Sequence, residues 1–329
     1  MGGSPLGSVA RSLRRLLVRA PQPIPDRYRA ALLREAFAAP GCPLCRLLAE
    51  REQRLLAALL WEQVNDPVTA AELAAARGFC WEHSWALVPA SAVVHSRLGV
   101  TIVLERILRD AFRAATDRAG LERWLRPLAP CPVCRWLAGS EESLLDLAAR
   151  LARSDPSLAA DRPGLLCVPH ARQLARDVPD FPWQRWEERA ARASVAWSRE
   201  AAAAHEVGRP PWYLPRAAEL PAVCPRCATQ PIADERLRRW WSLAAPVPAD
   251  GLPSECCLGH ALDALDPPTW RDELAQLLDD LAAFAAAHDY RFRGTLARPA
   301  RTSWLRAIVR LVGVVPAAGP HERAPRPSV

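Results

Sequence analysis

The chain has 329 residues, half of them hydrophobic, which is enough to bury a sizeable core and excludes wholesale disorder. All 43 basic residues are arginines, and with 36 acidic residues the net charge is +7. An arginine bias of this kind, shared with abundant Ala and Leu, is by itself weak evidence for a nucleic-acid partner, and no apolar stretch reaches the length of a membrane span.

The first 25 residues are a basic segment in which Leu13, Leu16 and Leu17 alternate with Arg11, Arg14, Arg15 and Arg19 at helical spacing. Residues 26–120 form the first expected module. There Cys42-Pro43-Leu44-Cys45 opens a run of helix formers, and Cys80-Trp81-Glu82-His83 follows 35 residues after Cys45. Proline fixes φ near the helical value and lacks an N–H, so it suits a first helical turn. Each pair is therefore expected at a helix start, where free N–H groups and the helix dipole favour a thiolate.

Residues 121–212 repeat the arrangement with Cys131-Pro132-Val133-Cys134 and, 33 residues on, Cys167-Val168-Pro169-His170. Residues 213–292 repeat it again with Cys224-Pro225-Arg226-Cys227 and, 30 residues on, Cys257-Leu258-Gly259-His260. The first cysteines of successive copies lie 89 and 93 residues apart, a period that marks tandem copies of one unit. Nine of the ten cysteines are used, three per set, and each set has one histidine. Cys256 stands where the earlier copies have Phe79 and Leu166, so it reads as a packed thiol.

Two ligand pairs with two intervening residues are the usual construction of a structural zinc site, and three cysteines with one histidine close a tetrahedron. The expectation is three zinc ions. One would be bound by Cys42, Cys45, Cys80 and His83, a second by Cys131, Cys134, Cys167 and His170, and a third by Cys224, Cys227, Cys257 and His260. Iron–sulfur ligation is the less favoured use of the same thiolates.

Strand signals are nearly absent while helical periodicity recurs, so the fold class is all-α: three tandem helical modules, each clipped by a Cys₃His site. Residues 293–329 form a basic amphipathic segment and a disordered tail, with Trp304, Leu305, Ile308, Leu311 and Val312 set against Arg306 and Arg310. Residues 1–35 carry a net +5 and residues 291–329 a net +7, leaving −5 for the body.

The repeated Cys-Pro-x-Cys and Phe/Leu-Cys-x-x-His strings, over roughly residues 28–290, resemble an uncharacterised bacterial family of unknown function. The resemblance implies no activity. Closed four-ligand sites and the absence of a nucleotide loop, zinc-protease helix or nucleophile elbow argue against an enzyme. The functional expectation is a non-enzymatic zinc protein acting as an interaction scaffold for a protein partner. One alternative is a redox-responsive zinc–thiol protein, and another is binding of nucleic acid or an anionic membrane through the arginine-rich ends. Thiols used as metal ligands, with no secretory signal pattern, point to the cytoplasm.

Overall fold

Helices make up nearly all the regular structure in the computed structural model, which describes residues 26–39, 41–155, 158, 164–178, 180–192, 257–258 and 267–313. They are α1 (Asp26–Phe37), α2 (Pro43–Trp61), α3 (Pro67–Ala76), α4 (Trp81–Val93), α5 (Arg97–Ala114), α6 (Arg118–Trp124), α7 (Pro132–Ser154), α8 (Val168–Asp177), α9 (Pro267–Ala286) and α10 (Ser303–Val312), with one further turn at Arg298–Arg301 and a helical stretch at 183–192. No strand forms among the described residues; the single β contact there is an isolated parallel bridge between Gly41 and Gly164. The all-α expectation holds.

Helix starts follow local chemistry. Asp66 caps α3 by accepting from the Thr69 N–H at 2.7 Å, with Pro67 in the first turn. Ser96 caps α5 through Gly99, and Asp117 caps α6 through Gly120. Each satisfies an amide that the helix leaves without an internal partner.

The chain divides into two units. The first comprises Met1–Leu47 and Leu145–Trp186, and it buries Leu33, Phe37, Leu44, Ala148, Leu174 and Trp186. The second comprises Leu48–Leu144 and Glu187–Val329. Its core is built on α5, against which α9, α10, α6, α4 and α3 pack. Val100, Leu104 and Leu108 from α5, Trp270, Leu274 and Leu281 from α9 and Ile308 from α10 all lie in this one cluster. Trp85 of α4 is fully buried in it and donates from its indole N–H to the Gly313 carbonyl at 3.1 Å.

Helix α10 takes the core-packed course. Trp304, Leu305, Ala307, Ile308 and Val309 are buried, and so are its arginines. Arg306 pairs with Asp280 at 2.6 Å and Arg310 with Glu273 at 2.5 Å, both partners coming from α9. The amphipathic stripe, which suits a membrane, a nucleic acid or a protein core alike, is thus buried inside the second unit, because α9 supplies carboxylates opposite both guanidinium groups. The basic segment at 1–25 and the tail beyond 313 lie outside the described residues. No helix among the described residues is long and apolar enough to cross a membrane.

Candidate metal centres

Four of the six ligand pairs fall wholly within the described residues, and each opens a helix, as its sequence predicts. Cys42, Cys80, Cys131 and Cys167 precede α2, α4, α7 and α8, and the carbonyl of each accepts the first helical hydrogen bond, from Arg46, Ser84, Arg135 and Ala171. The second member of every pair, Cys45, His83, Cys134 or His170, sits three residues on in the first turn. Both side chains of a pair then lie beside the same unpaired N–H groups, at the positive end of the helix dipole.

The pairing differs from the sequence expectation. Cys42 and Cys45 meet Cys167 and His170, whereas Cys80 and His83 meet Cys131 and Cys134. The expected quartets of Cys42, Cys45, Cys80 and His83 and of Cys131, Cys134, Cys167 and His170 are therefore corrected: the first two copies exchange their second pairs. Backbone hydrogen bonds give the reason: Gly164 and Leu165 tie the segment before Cys167 to the one before Cys42, and Leu128 ties the segment before Cys131 to the end of α3, just ahead of Cys80. Of the third set, only Cys257 is described; it is buried within the second unit's core. Cys224, Cys227 and His260 lie outside the described residues, as does Cys256.

In the first centre, which belongs to the first unit, the ligand atoms all lie within 4.8 Å of one another. Nδ1 of His170 is 3.3 Å from Sγ of Cys42, 3.5 Å from Cys45 and 3.1 Å from Cys167, and Cys45 Sγ is 3.7 Å from Cys167 Sγ. The second centre, within the second unit, is nearly the same. His83 Nδ1 is 3.1, 3.6 and 3.3 Å from Sγ of Cys80, Cys131 and Cys134, and Cys80 Sγ is 3.7 Å from Cys134 Sγ.

These spacings fit one tetrahedral ion. Bonds of about 2.3 Å to sulfur and about 2.0–2.1 Å to nitrogen hold ligand atoms roughly 3.5–3.8 Å apart. A disulfide would need its sulfurs at about 2.05 Å, and all six thiols are free.

The electrostatics agree with a cation site. The His83 imidazole is pushed up to about 10: burial opposes its charging, but hydrogen bonds with Cys131 and Cys134 outweigh it. His170 is likewise pushed up to about 10, against burial, by Cys167 and Cys42. Cys131 falls far below the ordinary thiol range through hydrogen bonds from Cys134 and Cys80, while Cys80 is driven far above it by Cys131 and Cys134. Cys42 and Cys45 diverge in the same way, Cys42 downward and Cys45 upward, each chiefly through Cys167. Each cluster thus shares protons among groups too close to ionise independently. A divalent cation can replace those protons.

Backbone contacts set up the convergence. In the first unit the Gly164 N–H donates to the Phe37 carbonyl at 2.7 Å and the Leu165 N–H to the Gly41 carbonyl at 3.0 Å, aligning the segments that enter Cys42 and Cys167. Gly41 has φ of +91°, a conformation that suits glycine. A Cβ on Gly164 would come within 2.8 Å of the Phe37 carbonyl oxygen and 2.9 Å of its Cα, so the strands of chain could not approach. Trp186 adds a hydrogen bond from its indole to the Leu166 carbonyl at 3.1 Å, just before Cys167. In the second unit the Leu128 N–H to Ala75 carbonyl bond, at 2.8 Å, similarly joins the segments before Cys131 and Cys80.

Gly164→Ala is accordingly expected to destabilise the first unit by about 1–3 kcal/mol, the usual range for overpacking. Metal retention at Cys42, Cys45, Cys167 and His170 should weaken, and that at Cys80, His83, Cys131 and Cys134 should not. Thiol-resolved alkylation with mass spectrometry checks this; equal protection of both centres in the variant would refute the role given to Gly164.

One neighbour carries no sequence signal. Glu52 of α2 places Oε1 3.5 Å from Nε2 of His83. A single carboxylate in a charged helix face looks like any solvated residue until the fold brings it to the imidazole.

Comparison with known proteins adds no family assignment. No family model, curated protein or solved structure matches the chain.

Proposed function

We propose that the chain is a non-enzymatic zinc protein whose Cys₃His sites hold helix starts together, and that it works as an interaction scaffold. The observation that supports this reading best is the convergence of eight ligands into two quartets at tetrahedral spacing. Thiolate and imidazole donors suit zinc and disfavour magnesium or calcium. Four protein ligands leave no open position for a substrate or an activated water, so the metal's part is structural. A multi-iron cluster, whose ligands bind different irons, would hold the four donor atoms farther apart than the 4.8 Å found.

With the first two copies exchanging pairs, the third has only its own pairs left to combine. Cys224, Cys227, Cys257 and His260 then make a third site of the same composition. Cys257, the described member of that set, is 3% exposed. Elemental analysis of freshly purified, reduced protein tests the reading. Zinc in integral stoichiometry, three ions per chain, is expected; protein free of metal would overturn it.

A further inference from the structure

We infer that Glu52 is the positioning residue of the second centre: its carboxylate fixes the His83 ring and tautomer so that Nδ1 faces the metal. The inference rests on the zinc reading above. His83 presents one ring nitrogen, Nδ1, to all three thiols of its quartet, at 3.1–3.6 Å. The other nitrogen, Nε2, faces Glu52 at 3.5 Å. Side-chain exposure is 7% for His83 and 22% for Glu52, so bulk water competes weakly for the contact. With Nδ1 given to the metal, the ring proton resides on Nε2, the nitrogen that faces the Glu52 carboxylate. A carboxylate in that position raises the basicity of the ligating nitrogen and holds the ring plane, and loss of such a partner usually weakens metal binding about 10–100-fold.

Glu52 comes from α2, whereas the four ligands come from the starts of α4 and α7. Glu52 lies in the part of α2 that belongs to the second unit, so the contact adds to the centre a residue from outside its two ligand-bearing helices.

The experiment uses the full-length zinc-loaded chain. Glu52→Gln preserves size and removes charge; Glu52→Ala removes the contact altogether. Each variant is titrated with a zinc chelator, and exposed thiols are alkylated and read by peptide mass spectrometry. Alkylation of Cys80, Cys131 and Cys134 should begin at about 10–100-fold lower chelator concentration than in the parent. Cys42, Cys45 and Cys167 should be unchanged and so report that the fold is intact. Release within twofold of the parent, or an equal shift at both centres, would overturn the positioning role. A parent protein that binds zinc at neither centre would instead overturn the zinc reading.

Discussion

Chelation of zinc is expected to unfold the first unit while the second remains folded. Among its described residues the first unit has few fully buried large side chains, and two chain segments separated by about a hundred residues are tied together at Cys42, Cys45, Cys167 and His170. Small cores of this kind commonly depend on a metal or disulfide. The second unit has a continuous core of more than thirty buried hydrophobics around α5 and can outlast its metal. A ligand at a thousand times its dissociation constant stabilises the state that binds it by about 4 kcal/mol. Structural zinc in finger peptides reaches apparent values of about 10–16 kcal/mol. Hydrogen exchange should show protection lost across 26–47 and 145–186 on chelation, with α5, α9 and α10 still protected. Uniform loss, or none, would contradict the division of dependence.

The second large effect is expected at α10. Arg306 and Asp280 have side-chain exposures of 6% and 14% and pair at 2.6 Å. Asp280→Ala removes the carboxylate that faces the guanidinium and should cost about 3–5 kcal/mol, the range for breaking a buried ion pair from one side. Replacing both residues, as Arg306→Met with Asp280→Leu, should recover most of that loss, because the desolvation of two charges disappears with them. Denaturant unfolding monitored by tryptophan fluorescence checks both. A double variant as unstable as the single would show that the loss does not come from leaving Arg306 buried without its carboxylate.

The ligands and their positions on helices were legible in the sequence; their partnership was not. Cys-Pro-x-Cys with Pro43 or Pro132 in the first turn announces a helix start, and Cys80 and Cys167 take the matching position before α4 and α8. A tandem period is the same whether each Cys-Pro-x-Cys closes on the Cys-x-x-His that follows it or on another copy's. Backbone contacts between the segments that enter each ligand pair decide between them. Gly41 and Gly164 are part of that decision, yet neither stands out among the 15 glycines. The burial of α10 was equally hidden. Arg306 and Arg310 beside Trp304 and Ile308 describe a surface-binding helix and a core helix alike until Asp280 and Glu273 are known to face them.

Exchange of ligand pairs between the first two copies is tested most directly by counting zinc ions in paired serine variants with native mass spectrometry. Cys42→Ser with Cys167→Ser places both changes in one quartet, so one ion should be lost. Cys42→Ser with Cys80→Ser places one change in each quartet, so two should be lost. The opposite counts, two ions lost from the first variant and one from the second, would contradict the exchanged arrangement and restore the pairing of each copy with itself.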